Sequence, residues 1–386
     1  MLSCTGVPGT RLSDSYLSPP ILLQSDSSSS SCIMAFNLHP TNGTRGTRSK
    51  VTKQQDRRGF EVFFAVLVAL ISVGVKLAVH QRSDNNGNFS LSGALLILFS
   101  VMGLFIIERG TRPPRNDAWH YIHWKESNKS EAPTLVCLGD SLTHGTVSAN
   151  WVGDLYGGGK ATAYEIWCQD ELLHVVNCGQ NNLVTHTCLH ERIDWALACE
   201  PNYVVLMIGT NDCRGIYNWA WRWQLETMWW TPERLSLERL ECNVETMVKR
   251  LIQHHPQMQV GLCTLPPLGE DLMNQANTQI VDQANQRIRE IAVKYKDQCT
   301  LLDVNKTLVS KIRRDQIKWP VRYMFVPAFL FSFPHVVLGT SLTQLAKLIN
   351  NQVMFEGLHL NEAGGKIVTE LVANWLRAQG LSVRGQ

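Results

Sequence analysis

From residue 133 onward the chain carries five short apolar runs, Thr134–Leu138, His174–Asn177, Tyr203–Ile208, Met258–Cys263 and Cys299–Val304. Each is too short for a buried helix and too continuously apolar for a half-exposed strand, the pattern of a parallel strand covered on both faces. Longer segments repeat their apolar positions every three or four residues. Leu240–Ile252 does so through Leu240, Val244, Met247, Val248 and Leu251, and Ala276–Tyr295 through Ile280, Val281, Ala284, Ile288 and Ile291. Glu362–Leu376 does so through Ile367, Val368, Leu371, Val372 and Trp375, with Asn361 placed as N-cap. Strands alternating with helices predict a three-layer α/β/α fold on a doubly wound parallel sheet over 133–386.

The pattern before that domain is different. Residues 1–58 have no periodic apolar face and contain the serine run Ser27–Ser31, so they read as a disordered tail. No basic segment followed by an apolar core opens the chain, and no secretory signal is expected. Two apolar spans follow, at about 60–79 and 89–107, within a membrane hairpin placed at 59–108. Arg45, Arg48, Lys50, Lys53, Arg57 and Arg58 precede the first span, Arg109, Arg112 and Arg115 follow the second, and only Arg82 lies between them. The positive-inside rule then puts both ends, and the following domain, in the cytoplasm. The polar stretch 109–132, with Pro113 and Pro114, reads as a linker.

Two segments exceed what the sheet requires, near 216–231 and 306–354. The first carries Trp219, Trp221, Trp223, Trp229 and Trp230; the second contains the apolar, proline-interrupted Trp319–Leu338. Prolines and Arg322 make the latter a poor spanning helix, so a lid or membrane-dipping segment is expected. Trp219, Trp221, Trp223 and Phe329 are the candidate contacts to an apolar substrate.

Candidate chemistry gathers at the ends of the strands. Ser141 stands on the turn after the first, in Gly139-Asp140-Ser141-Leu142, where open α/β sheets place ligand sites. Its hydroxyl needs a base and an oxyanion hole supplied from elsewhere. Gly179 follows the second strand, and Gly209-Thr210-Asn211-Asp212 follows the third. Phe355-Glu356-Gly357-Leu358-His359 precedes the last helix. These ordered Ser, Gly, Asn and His blocks resemble the SGNH (GDSL-type) hydrolases over about Pro133–Gln386, and Leu265–Glu270 looks like that family's proline-bearing loop. The resemblance implies Ser141 as nucleophile and His359 as general base. It also implies an oxyanion hole from the Ser141 and Gly179 N–H groups and the Asn211 amide. Where the family usually has aspartate three residues before the histidine, this chain has Glu356. Glutamate offers the same charge on a longer arm, and Ser-His-Glu triads serve other hydrolase folds. Asp303 is the alternative acid, although a capping role suits it better.

The implied reaction is hydrolysis of an acyl ester through an acyl-enzyme, with no metal or other cofactor. The anchor points to a lipid, in the manner of a lysophospholipase. The same blocks also suit a carbohydrate O-acetylesterase, a thioesterase or an acyltransferase, and a catalytically silent membrane scaffold is the reading outside enzymes.

Composition narrows the picture a little further. The 386 residues carry a formal charge of +3, with no basic domain or nucleic-acid motif. Eleven cysteines lack paired spacing, and Cys137, Cys178, Cys213 and Cys263 fall in or beside core-like strands, which argues for a reducing compartment. His186 and His190 have helical ligand spacing without a third ligand in reach, so no metal is expected there.

Overall fold

The computed structural model describes residues 68–76, 91–110, 112–156, 167, 172–229, 231–313 and 325–383. Five parallel strands form its centre: β1 (Thr134–Gly139), β2 (His174–Gly179), β3 (Tyr203–Met207), β4 (Gln259–Cys263) and β5 (Cys299–Leu302), in the spatial order β2-β1-β3-β4-β5. Each falls on an expected run, and the order is that of a doubly wound sheet with β1 at its switch point. The register sets Gly139 beside both Gly179 and Met207, so the carboxyl ends of three strands finish together.

Alternation along the strands divides the core in two. Val136, Leu138, Val176 and Cys178 face the layer built by α8 (Leu237–His254) and α9 (Asp282–Lys294). Leu135, Cys137, Val175 and Met207 face Val368, Val372, Trp375 and Leu376 of α13 (Glu362–Ala378). Hence the strands read as unbroken apolar runs while the helices show a single stripe. Asn361 caps α13 through the Gly364 N–H (3.0 Å), as its position predicts. Seven of the eight cysteines described are buried and all eight are free thiols, including Cys137, Cys178, Cys213 and Cys263.

The segment expected as a linker at 109–132 contains a helix instead, α2 (Ala118–Ser127), capped by Asp117. Tyr121 and Trp124 bury against the sheet beside Trp167, and the Tyr121 hydroxyl meets Thr134 (2.7 Å). Prolines and polar residues around a short aromatic motif hid this element from the pattern.

The 1–58 tail and most of the first apolar span lie outside the described residues, of which 68–76 is helical. The second span is one helix, α1 (Leu91–Gly110). Among the described residues no helix is long and apolar enough to cross a membrane. In the insertions, α7 (Trp219–Trp229) follows α6 (Thr210–Tyr217), and α11 (Phe325–Leu338) packs against α1. α12 (Leu342–Leu348) then leads back to the sheet.

Candidate active site

The nucleophile turn is fixed by Asp140. Its carboxylate accepts the Leu142 N–H (3.0 Å), and its carbonyl accepts the N–H groups of Thr143 and His144. These bonds begin a short helix, α3 (Ser141–His144), which Gly145 ends in the left-handed conformation (φ 79°). Ser141, the first residue of that helix, has an N–H with no intrahelical acceptor. From the other side Trp151 Nε1 donates to the Leu142 carbonyl (2.8 Å) and holds the turn down.

His359 reaches Ser141 from a tight loop between α12 and α13. Met354 and Leu360 bridge its base, the Phe355 N–H donates to the His359 carbonyl (2.6 Å), and Gly357 supplies a positive φ (93°) inside it. In this conformation His359 Nε2 lies 2.9 Å from Ser141 Oγ, and His359 Nδ1 is hydrogen-bonded to Glu356 Oε1. Serine, histidine and glutamate thus form one continuous chain, all three buried. Asp303 is occupied elsewhere: it caps α10 (Val304–Val309) and binds Thr264 Oγ1 (2.9 Å) and Arg289. Although burial opposes it, these contacts hold the Asp303 carboxyl below its usual range.

Glu270, the last residue of the proline-bearing loop, has a role with no local signal in the sequence. Buried at the end of the 265–270 loop, it accepts the N–H groups of Gln352, Val353 and Met354 at 2.7–2.9 Å. One carboxylate therefore organises the backbone that enters the Glu356–His359 loop. The Gly269 N–H adds a bond to the Gly357 carbonyl.

Asn211 lies in the first turn of α6, which follows β3, the strand paired with β1. Its Nδ2 donates to the Leu183 carbonyl (2.9 Å), which fixes the amide plane and leaves the second Nδ2 hydrogen for another acceptor. The next residue, Asp212, accepts both the N–H (3.0 Å) and the hydroxyl (2.6 Å) of Thr185. Asp212 therefore ties α6 to the loop after β2.

Gly179 is placed differently from the expectation. Its N–H donates to Asn177 Oδ1 (2.9 Å), and a Cβ there would lie 2.3 Å from the His144 nitrogen. The glycine permits close packing of β2 on the nucleophile turn. Asn177 completes that joint by donating to the Thr143 carbonyl (2.9 Å). Farther along the same loop Asn182 adopts a positive φ (60°); Arg214 Nη2 meets its side chain (3.2 Å) and Trp229 Nε1 its carbonyl (2.6 Å). The non-glycine left-handed residue and its two clamps have no local sequence signature.

Electrostatics follow from burial. Burial pushes the Asp140 carboxyl up to about 7, against the Leu142 N–H that favours its charge. The same effect raises Asp212 to about 6, offset by Thr185. His144, bonded to the Arg112 carbonyl (3.0 Å), is held down at about 4 by burial and is neutral near pH 7.

Of the candidate substrate contacts, Trp221 is buried with its ring beneath the Arg214 guanidinium (4.1 Å to the centroid). Trp219 and Trp223 are exposed, at 74% and 67%. Phe329 falls within α11, and its side chain lies outside the described residues. The His186 and His190 rings lie tilted against each other with centroids 4.4 Å apart.

Among solved structures the chain is similar to the acetyl xylan esterase AlAXEase, at 16% identity and a TM-score of 0.42, covering 63% of this chain and 99% of that one. It is similar also to LAE5, an alpha/beta hydrolase enzyme from the metagenome of Lake Arreo, Spain (17%, TM-score 0.42, 64% and 95% covered). A third is a catalytic mutant of Axe2, an acetylxylan esterase from Geobacillus stearothermophilus (16%, TM-score 0.42, 67% and 99%). No curated protein matches the chain. The pattern of the GDSL-like Lipase/Acylhydrolase family, by contrast, matches residues 137–367, a stretch that begins inside β1 and ends inside α13. With the nucleophile turn, the Asn211 block and the Glu356–His359 loop all inside that match, the chain belongs to the GDSL-like lipase/acylhydrolase family and is a serine hydrolase of ester bonds.

Proposed function

We propose that this chain is a membrane-anchored serine esterase that hydrolyses acyl esters of lipids through an acyl-enzyme. The observation that carries the catalytic part is the hydrogen-bonded chain from Ser141 Oγ through His359 to Glu356. Ser141 Oγ attacks the ester carbonyl as His359 Nε2 takes its proton. The Glu356 carboxylate keeps the remaining ring proton on Nδ1 and stabilises the imidazolium. Negative charge on the carbonyl oxygen is received by the Ser141 N–H and the second hydrogen of Asn211 Nδ2. Collapse of that intermediate expels the alcohol, which leaves with the proton from His359. Water, activated by the same imidazole, then releases the carboxylic acid and restores the serine.

Several features support a membrane site of action. α1 exposes Leu95, Leu98, Phe99, Val101 and Phe105, and the apolar α11 packs against it. The exposed Trp219 and Trp223 suit an interfacial position. An anchored domain meets membrane-borne esters at high effective concentration. Basic residues outside both apolar spans support a cytoplasmic position for the catalytic domain. Incubating the purified full-length protein with a lipid extract tests the substrate class: acyl lipids should be lost with stoichiometric release of fatty acid. Turnover of soluble acetyl esters alone would contradict it. Retention of the protein in alkaline-carbonate pellets, with the domain digestible from the cytoplasmic face of sealed vesicles, tests anchor and orientation together.

A further inference from the structure

The nucleophile turn is bonded to the stretch of chain that leaves α1 (Arg112 carbonyl to His144 Nε2, 3.0 Å). We propose that His144 is a positioning residue through which the end of α1 sets the place of Ser141, so that α1 forms part of the catalytic unit. The inference rests on Ser141 as the nucleophile and is independent of what surrounds α1.

His144 is the last residue of the one-turn helix α3, whose first residue is Ser141. A single turn has little stability of its own, so its place is decided by what holds it. Trp151 holds the Leu142 carbonyl, Asn177 the Thr143 carbonyl, and the His144 ring is held by two partners of its own. Besides the Arg112 carbonyl at Nε2, Thr146 Oγ1 lies 2.8 Å from Nδ1. A carbonyl only accepts, so Nε2 carries the ring proton and Nδ1 accepts from the Thr146 hydroxyl. The ring is buried and neutral near pH 7, and both of its nitrogens are committed. It acts as a strut and not as a base.

Arg112 joins this strut to α1. Its N–H donates to the Arg109 carbonyl (3.3 Å) and its guanidinium pairs with Glu108 (2.6 Å), both in the last turn of α1. Pro113 and Pro114 follow and stiffen the link. Asn116 then closes it: its carbonyl accepts the Asn177 N–H (2.8 Å), and its Nδ2 donates to the Val175 carbonyl (3.0 Å). Asn177 is the same residue that holds Thr143. The stretch from Arg112 to Asn116 is therefore pinned at one end to the nucleophile turn and at the other to β2. A shift of α1 relative to the sheet moves His144, and with it the Ser141 Oγ that must meet His359 Nε2 (2.9 Å). A misplacement of about 1 Å at reacting atoms can cost about 10²-fold in rate.

The test measures kcat and KM of the full-length protein in detergent micelles on 4-nitrophenyl butyrate, with the melting temperature recorded for each variant. His144→Leu occupies the site but cannot donate, and it should lower kcat about 10- to 100-fold with KM unchanged. His144→Gln offers an amide N–H to the Arg112 carbonyl and should recover most of that loss. A second variant leaves the ring in place. Pro113→Gly combined with Pro114→Gly, at an exposed and a half-buried position, softens the link and should lower kcat about 10-fold. Because both changes break one link, joining them to His144→Leu should cost no more than His144→Leu alone. Wild-type kcat in His144→Leu, a His144→Gln no faster than His144→Leu, or losses that multiply in the combination overturns the positioning role and leaves the hydrolase standing. If His144→Leu fails to fold, the double glycine variant decides, and wild-type kcat in it overturns the proposal. Absence of turnover by wild type on every ester overturns the hydrolase reading itself, and the positioning role with it.

Discussion

Glu356 and His359 are three residues apart on one tight loop, and the carboxylate meets the Nδ1 of the ring whose Nε2 faces Ser141. Because both residues ride on the same few peptide units, their geometry is set locally. Only the Ser141 contact must be assembled across the fold. The extra methylene of glutamate is accommodated by the loop itself, which turns at Gly357 (φ 93°).

Replacing Glu356 by glutamine removes the charge that fixes the tautomer and stabilises the imidazolium. Glu356→Gln should lower kcat steeply, by up to ~10⁴-fold on the precedent of such triads. Glu356→Asp should keep a substantial part of the activity. Steady-state kinetics on a soluble ester distinguish the two, and near-wild-type turnover by Glu356→Gln would remove the glutamate from the mechanism.

Asn211→Ala should lower kcat about 10²- to 10³-fold with little change in KM, since its amide acts mainly on charge that develops in the transition state. The variant also frees the Leu183 carbonyl, so its melting temperature must be recorded alongside. A rise in KM alone would make Asn211 a substrate-binding residue.

Glu270 holds three consecutive backbone N–H groups at the entrance to the histidine loop. Each buried donor left unpaired costs about 1–3 kcal/mol, so Glu270→Ala should destabilise by about 3 kcal/mol or more. Urea unfolding measures the loss. Glu270→Gln retains one acceptor oxygen and should recover part of the stability and of kcat, whereas equal stability in all three proteins would contradict this role.

The Asp140 carboxyl sits at about 7, raised by burial from an ordinary 3.8. Between those values the folded protein keeps a proton that the unfolded chain has lost, so this group's contribution to stability falls as pH rises through the window. Asp212, at about 6, acts with the same sign. Asp140→Asn keeps an oxygen for the Leu142 N–H and removes the titration. Its melting temperature relative to wild type should therefore rise between pH 5 and pH 8. A difference independent of pH would mean that Asp140 ionises normally.

The parts legible in the sequence are those with a local signal. The five strands announce themselves as apolar runs because the parallel sheet is covered on both faces, and α8, α9 and α13 because each buries one stripe. Ser141, Asn211, Glu356 and His359 stand in motifs, and the structure brings all four to one end of the sheet. What stayed hidden depends on partners distant in sequence. Asn177 spans 34 positions to Thr143, and Glu270 spans 84 to Met354. The Gly179 N–H is taken by an asparagine two residues away, a detail of side-chain rotamer that spacing does not reveal. α2 falls in a stretch that looks like a linker in the sequence, because two aromatic residues, Tyr121 and Trp124, do its burying in place of an aliphatic stripe.

Covalent capture of the nucleophile tests the central claim most directly. The full-length protein should react with a fluorophosphonate probe, and mass spectrometry of the digest should place the adduct on Ser141. Ser141→Ala should take up none, and His359→Ala should label far more slowly because the hydroxyl has lost its base. An adduct on another residue, or equal labelling of wild type and Ser141→Ala, would contradict the account.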